Sequence, residues 1–98
     1  MHKFMCLHTL PAEGFALKDI CEVADALQHD PNVRGYRSFF NLTNGKAACV
    51  LEANDRETVA TWFKEKGIPY DEILPVELEG EYGTIRDLRE EPVMAGSA

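Results

Sequence analysis

The sequence predicts an α+β fold with the element order β-α-β-β-α-β. Two segments carry apolar residues at helical spacing, and four others are predicted to be strands, so that each helix lies between two strands. The chain has 98 residues, which is the size of one domain. We therefore expect one sheet with both helices on the same face.

The first strand is predicted over residues 3–10, and the first helix follows over residues 16–28. The helix is predicted by one apolar stripe at three- and four-residue spacing, formed by Leu17, Ile20, Cys21, Ala24 and Leu27. Pro31 disfavours helical geometry at Asp30 and ends this helix. The second strand is predicted over residues 33–42.

Asn44 and Gly45 predict a two-residue hairpin turn, because both tolerate positive φ. The third strand then covers residues 46–53. Asn54, with Glu57 three residues later, predicts an N-cap for a helix over residues 55–66 that Gly67 ends. The last strand is predicted over residues 73–79, at a sheet edge, because Pro75 cannot donate a ladder hydrogen bond.

Right-handed crossovers place the first and third strands in the centre of the sheet, and we expect these two to run parallel. This arrangement is a ferredoxin-like α+β sandwich, with a four-stranded antiparallel or mixed sheet and two helices on one face. The domain is expected to cover residues 1–80. Residues 81–98 form an acidic tail, with a candidate short helix over 84–91 and disorder after it.

Composition excludes several classes of partner. The formal net charge is −7 and no cluster of Lys or Arg relieves it, so nucleic acid is disfavoured. No stretch approaches the length of a membrane span, and the N-terminus lacks the pattern of a signal peptide. Three widely spaced cysteines, Cys6, Cys21 and Cys49, are typical of reduced thiols in a cytoplasmic protein.

The predicted turn sets the strand register. Pairing Thr43 with Lys46 places Arg37 opposite Glu52, and it puts Glu52 on the sheet face that no helix covers. In the first strand we expect Met5 and Leu7 to point toward the helices. The open face then carries an apolar patch too large for a monomer, formed by Phe4, Cys6, Phe39, Ala48, Val50 and Ile73. This patch predicts a homodimer that stacks two open faces.

Four side chains form a candidate site at the margin of that face. His8 and Glu52 would lie at the ends of adjacent strands, with Cys6 two residues from His8. Imidazole, carboxylate and thiol are ligands for a divalent metal such as nickel or zinc. Alternatively, His8 moves a proton or binds a ligand while Arg37 holds an anionic group.

Each of these residues also has a purely structural interpretation. Arg37 and Glu52 would form a cross-strand ion pair at the dimer margin. His8 would be an interface histidine, and the cysteines would be small core residues. The sequence is compatible both with these structural interpretations and with the site hypotheses.

Three segments resemble a bacterial family of small domains of unknown function, whose members include nickel-binding, dimeric, ferredoxin-like proteins. They are "FMCLHTL", "VRGYRSFFNLTNGKAACVLEAND" and "GIPYDEILPVEL", which together cover about residues 3 to 79. The resemblance implies that His8, Cys49 and Glu52 occupy family-pattern positions. It also implies the fold, the dimer and a role for nickel.

The leading functional hypothesis is therefore a dimeric, cytoplasmic binding protein for a small ligand or a divalent metal. One alternative is a cofactor-independent enzyme of the dimeric α+β barrel kind, an isomerase or monooxygenase, with His8 as its acid–base group. An enclosed pocket that reaches His8 would favour it. Another alternative is a dimer with a purely structural or partner-binding role.

Overall fold

A computed structural model describes residues 1–11, 13 and 15–89. Its elements are, in chain order, β1 (His2–Thr9), α1 (Leu17–His29), β2 (Val33–Asn41), β3 (Lys46–Ala53), α2 (Arg56–Lys66), β4 (Glu72–Pro75), β5 (Leu78–Glu81) and β6 (Thr84–Asp87). Strands β1 to β4 form one antiparallel sheet in the order β2-β3-β1-β4, and β5 pairs with β6 alone. The predicted α+β class, with two helices and a four-stranded sheet, is confirmed.

The central strands are β1 and β3 as predicted, but they run antiparallel. The expectation of a parallel pair is wrong because only one net reversal of chain direction separates the two strands. The crossover through α1 makes β2 parallel to β1, and the β2–β3 hairpin then turns the chain back.

Both helices pack against the same face of the sheet, where the main core lies. It is formed by ten buried residues from the sheet and both helices: Phe4, Cys6, Leu27, Val33, Leu51, Ala53, Val59, Trp62, Phe63 and Ile73. The helices contribute unequally, since α2 buries Val59, Trp62 and Phe63 whereas α1 buries only Leu27. Neither helix is long and apolar enough to cross a membrane.

Helix α2 is capped at both ends. Asp55 is the N-cap, and its carboxylate accepts hydrogen bonds from the backbone N–H and the hydroxyl of Thr58 at 2.8 and 2.7 Å. The cap expected at Asn54 therefore lies one residue too early. At the other end, Gly67 has φ of 70° and donates to the last helical carbonyls, as its position predicts.

The β2–β3 turn is longer than predicted. Asn41 pairs with Lys46 around residues 42–45, and the side chain of Asn41 accepts from the N–H of Asn44 at 2.9 Å. Gly45 has positive φ, but Asn44 does not. The predicted two-residue turn is therefore wrong, and the predicted pairing of β2 with β3 is shifted by two positions. An even shift keeps each residue of β3 on its predicted face.

A bulge at Tyr36 changes the pairing further along β2. Gly35 pairs with Leu51 and Arg37 with Val50, so Arg34 rather than Arg37 lies opposite Glu52. A Cβ atom at position 35 would lie 3.3 Å from Cδ1 of Leu27, so glycine permits the close approach of α1.

The segment after α2 differs most from expectation. Strand β4 ends at Pro75, on a sheet edge as its proline predicts, but it does not continue to residue 79. Strands β5 and β6 instead form a separate hairpin that turns at Tyr82 and Gly83 with positive φ. The described part of the candidate helix over 84–91 thus contains strand β6, over Thr84–Asp87. Strand β5 also crosses the domain boundary that was expected at residue 80. The disorder predicted for the chain end lies outside the described residues.

Charged side chains tie this hairpin to the sheet. Lys3 donates to Glu79 at 2.6 Å, the hydroxyl of Tyr36 donates to the same carboxylate at 2.5 Å, and Arg37 lies 3.3 Å from Glu81. Two hydrogen bonds lower the pKa of Glu79, and the bond from Lys3 has a larger effect than the bond from Tyr36. The hairpin therefore sits at the Lys3 end of the open face.

Gly67→Ala tests the C-cap of α2. No heavy atom outside the adjacent chain lies within 4 Å of a Cβ built there, so only the left-handed backbone opposes the new side chain. We expect the free energy of unfolding to fall by about 1 kcal/mol in urea denaturation. Gly67→Asn should lose less, because asparagine tolerates positive φ, and equal losses would contradict this account.

Candidate functional site

The three metal ligands predicted from the sequence do not meet. His8 pairs with Ala47 and Cys6 with Cys49, and both side chains are buried beneath the helices. Glu52 pairs with Lys3 on the opposite face of the sheet. The predicted metal site of His8, Glu52 and Cys6 is therefore absent, because the sheet itself separates the carboxylate from the other two.

The error arises in β1, whose residues 4–8 place a bulky or apolar side chain on both faces. Without a polar–apolar alternation, the strand pattern does not say which set is buried. Phe4, Cys6 and His8 are the buried set, whereas Met5 is 38% exposed. Ile73 of β4, which was expected on the open face, likewise lies in the core, and Leu74 lies on the open face opposite Met5.

Arg37 also lies away from the predicted ligand-binding group. Its guanidinium lies 3.3 Å from Glu81 of the hairpin, and it is 5.7 Å from the ring of Tyr36. Glu52 instead has Arg34 at 4.0 Å and Lys3 as its cross-strand neighbour. His8, Arg37 and Glu52 therefore do not form one ligand site.

The best-defined polar group in the interior is the imidazole of His8, which is 3% exposed. Its Nδ1 lies 2.7 Å from the carbonyl oxygen of Pro69. A carbonyl only accepts, so Nδ1 carries the proton and neutral His8 has a lone pair on Nε2. Nε2 is buried and has no hydrogen-bond partner among the described residues. An unsatisfied buried acceptor is costly and requires an explanation.

His8 lines a cavity of about 100 Å³ between the sheet and the helices. Its lining comes from β1, β2, β3, both helices and the loops that follow β1 and α2, and it is almost entirely apolar. The edge-on ring of Phe63, with centroids 5.0 Å apart, packs against the imidazole. This arrangement can hold a small apolar molecule with one polar group.

The same interior does not fit a divalent metal ion. Burial raises the pKa of Cys6 to about 12 and also raises the pKa of Cys49, so both thiols stay protonated at neutral pH. No carboxylate of the described part of the chain lines the cavity to balance a double positive charge. Across residues 1–11, 13 and 15–89, no three His, Cys, Asp or Glu side chains are grouped to hold a metal.

Fold and cavity together define a small α+β domain with an internal ligand-sized space rather than a preformed metal centre. The chain matches the family model described as nickel responsive protein SCO4226-like over residues 4–76, about three quarters of its length. It therefore belongs to that family, which agrees with the resemblance noted in the sequence. No curated protein and no solved structure matches the chain.

Sequence reasoning missed the partner of His8. Pro69 lies 61 positions away, and the bond uses its backbone carbonyl, for which the sequence carries no signal. It also missed the contact of Trp62 with Asp30, in which the indole N–H donates at 3.0 Å. The only available signal was that a buried tryptophan usually finds an acceptor.

Thiol reactivity tests the placement of the three cysteines. Cys21 is exposed, whereas a pKa of about 12 leaves about one part in ten thousand of Cys6 as thiolate at about pH 8. We expect a disulfide reagent to modify one thiol rapidly in the native protein and all three in denaturant. Cys21→Ala should abolish the rapid phase and Cys6→Ala should preserve it. Rapid reaction of two or more native thiols would contradict the shielded placement of Cys6 and Cys49.

Proposed function

We propose that this protein is a homodimeric binding protein, of ferredoxin-like fold, that acts in a cytoplasmic nickel response. The strand order β2-β3-β1-β4 supports the fold, because each helix connects two strands that have one strand between them. Membership of a nickel responsive family supports the role. The open sheet face supports the dimer and is the observation on which the proposal chiefly rests.

The open face is apolar at its centre. Phe39, Ala48 and Val50 lie there as predicted, but Met5, Leu7 and Leu74 take the places expected for Phe4, Cys6 and Ile73. Met5 pairs with Val50 and Leu74, and Leu7 pairs with Ala48, so these side chains form one continuous band. Phe39 is 63% exposed beside it. Monomeric soluble proteins rarely expose a continuous apolar surface of this kind to water.

Polar residues border this band at both ends of the strands. Lys3, Glu52 and Arg34 lie at one end, where Arg34 is 4.0 Å from Glu52. At the other end, Lys46 donates to the hydroxyl of Thr9, which donates to Asp71 at 2.7 Å. An apolar centre with a polar rim is typical of protein interfaces. Two such faces can stack as sheets do in a sandwich.

The β5–β6 hairpin adds a second unpartnered apolar surface. Its inner side reaches the sheet through Glu79 and Glu81, while Leu78 and Ile85 on the other side are largely exposed. An isolated two-stranded hairpin is marginally stable in water. Contact with a second copy would bury these side chains and support the hairpin.

Phe39→Glu tests the interface. We expect wild-type protein at micromolar concentration to scatter light as a particle of twice the 11.0 kDa chain mass, and the variant to scatter as a monomer. The new carboxylate would lose its hydration on burial in the interface. Leu17→Glu is the matched control, since Leu17 is 69% exposed at the start of α1, and it should remain dimeric. A monomeric wild type would refute the dimer.

Nickel enters the proposal as a ligand shared between two copies. One chain groups no three candidate ligands among its described residues, but a dimer doubles the number of carboxylates, including that of Glu52, near its interface. The net charge of −7 favours cations in general.

Calorimetric titration with Ni²⁺, and with Zn²⁺ in parallel, tests this part. We expect weak Ni²⁺ binding to the wild-type dimer and a loss of that binding in monomeric Phe39→Glu. His8→Ala should bind as the wild type does, because His8 is buried on the helix side of the sheet. Absence of heat with the wild type would remove nickel from the proposal and leave the dimer in place.

A second candidate function is a cofactor-independent enzyme of the isomerase or monooxygenase type. The cavity that reaches His8 is the observation that favours it. Nε2 would accept a proton from a bound molecule, and Pro69 would hold the imidazole in the required tautomer.

A further inference from the structure

The geometry points to a binding site for a small, uncharged, mainly apolar molecule in the cavity beneath α1, with Nε2 of His8 accepting a hydrogen bond from a hydroxyl or N–H of that molecule. This site is separate from the open face and from any nickel shared between copies. Nothing in the family description assigns it.

The first observation that supports this site is that α1 buries little of its apolar surface against the sheet. Of its 13 residues only Leu27 is buried, although its apolar stripe predicts a helix packed along most of its length. Ile20 and Ala24 of that stripe line the cavity, together with the neighbouring Val23, and none of the three is fully buried. A molecule in the cavity would complete the packing of α1.

The second support is that the cavity opens to solvent. Its exposed lining residues, Ala24, Ser38 and Phe40, belong to α1 and β2, so the mouth lies between these elements. Most of the buried lining residues, which include His8 and Phe63, belong to β1, β3 and α2, and the other two are Leu10 and Leu27. A ligand entering between α1 and β2 would therefore reach the imidazole.

The third support is that the other polar groups of the wall are engaged. The indole N–H of Trp62 donates to Asp30, Ser38 hydrogen-bonds with Cys49, and Nδ1 of His8 donates to Pro69. Nε2 of His8 alone is a buried side-chain nitrogen or oxygen without a partner in the described part of the chain. One missing hydrogen bond calls for one donor on the ligand.

Size and charge narrow the chemical class. The volume of about 100 Å³ is somewhat below the roughly 150 Å³ of an apolar cavity that holds benzene, so one ring or a short chain is the upper limit. Among the described residues the lining contains no Asp, Glu, Lys or Arg, so burying a charged ligand would be costly. Phenol has the required features and toluene is its partner without the donor.

The test compares phenol with toluene on wild-type protein and on His8→Leu, by chemical-shift titration. We expect both molecules to shift amide signals that line the cavity. Toluene is intrinsically the more apolar of the two, so the informative quantity is the ratio of the two affinities. In His8→Leu the affinity for phenol relative to that for toluene should fall about tenfold, because this variant keeps an apolar wall but removes the acceptor.

Three further measurements keep the result decisive if His8→Leu folds poorly. The Nε2 nitrogen resonance of wild-type His8 should move with phenol and not with toluene. Ala24→Met should fill the mouth and weaken both molecules, whereas Glu22→Met, on the same helix but outside the lining, should not. Phe39→Glu should bind phenol as the wild type does, because Phe39 lies on the other face of the sheet.

Two results would overturn the inference. Absence of cavity shifts with either molecule up to its solubility limit would show that α1 closes onto the sheet and that no site exists. Binding of both molecules with an unchanged ratio in His8→Leu, or an unmoved Nε2 resonance, would show that His8 is not the acceptor.

Discussion

The facing of β1 is the constraint on which the rest of the structure depends. Side chains alternate across a strand, so burying Cys6 also buries Phe4 and His8 and turns Lys3, Met5 and Leu7 outward. Because β1 is central, this single choice sets what both neighbouring strands must match. It supplies the core with an imidazole and the open face with an apolar band, and it separates His8 from Glu52.

The two helices use the buried face in different ways. Helix α2 is capped at both ends and places Trp62 and Phe63 into the core, so it holds one side of the domain firmly. The loop after it brings the carbonyl of Pro69 to His8 and thereby sets the tautomer of a residue on another element. Helix α1 lacks comparable anchors and leaves space beneath it. A densely packed half and a less densely packed half around one polar atom are suited to ligand binding.

The opposite face shows how a small domain can be incomplete on its own. A chain of 98 residues buries a modest core, and here it leaves a second apolar surface and a hairpin tied by charged side chains. The Lys3–Glu79 pair is one of the three contacts that hold the hairpin, and its low-pKa carboxylate stays ionised under neutral conditions. Burial of the open face between two copies would complete the domain in the same way that a ligand would complete α1.

Local features could be predicted well because their causes are local. The stripe of α1, Gly67 after α2 and the small residues of β3 each act within a few positions, and the corresponding elements begin and end within one or two residues of expectation. The even register shift also left the faces of β3 as predicted, so Glu52 was correctly placed on the open side. The sequence likewise carried enough of the family pattern for its membership to be recognised.

Other features depended on contacts that no local pattern encodes. The four-residue turn, the bulge at Tyr36 and the early end of β4 follow from how strands meet neighbours far along the chain. The candidate site failed for the same reason, since β1 is apolar on both faces and only packing against α2 decides which one is buried. Local composition thus determined the elements, the class and the family of this protein. Tertiary packing alone decided which side of β1 faces inward, because alternation offers two equivalent choices and only the helices distinguish them.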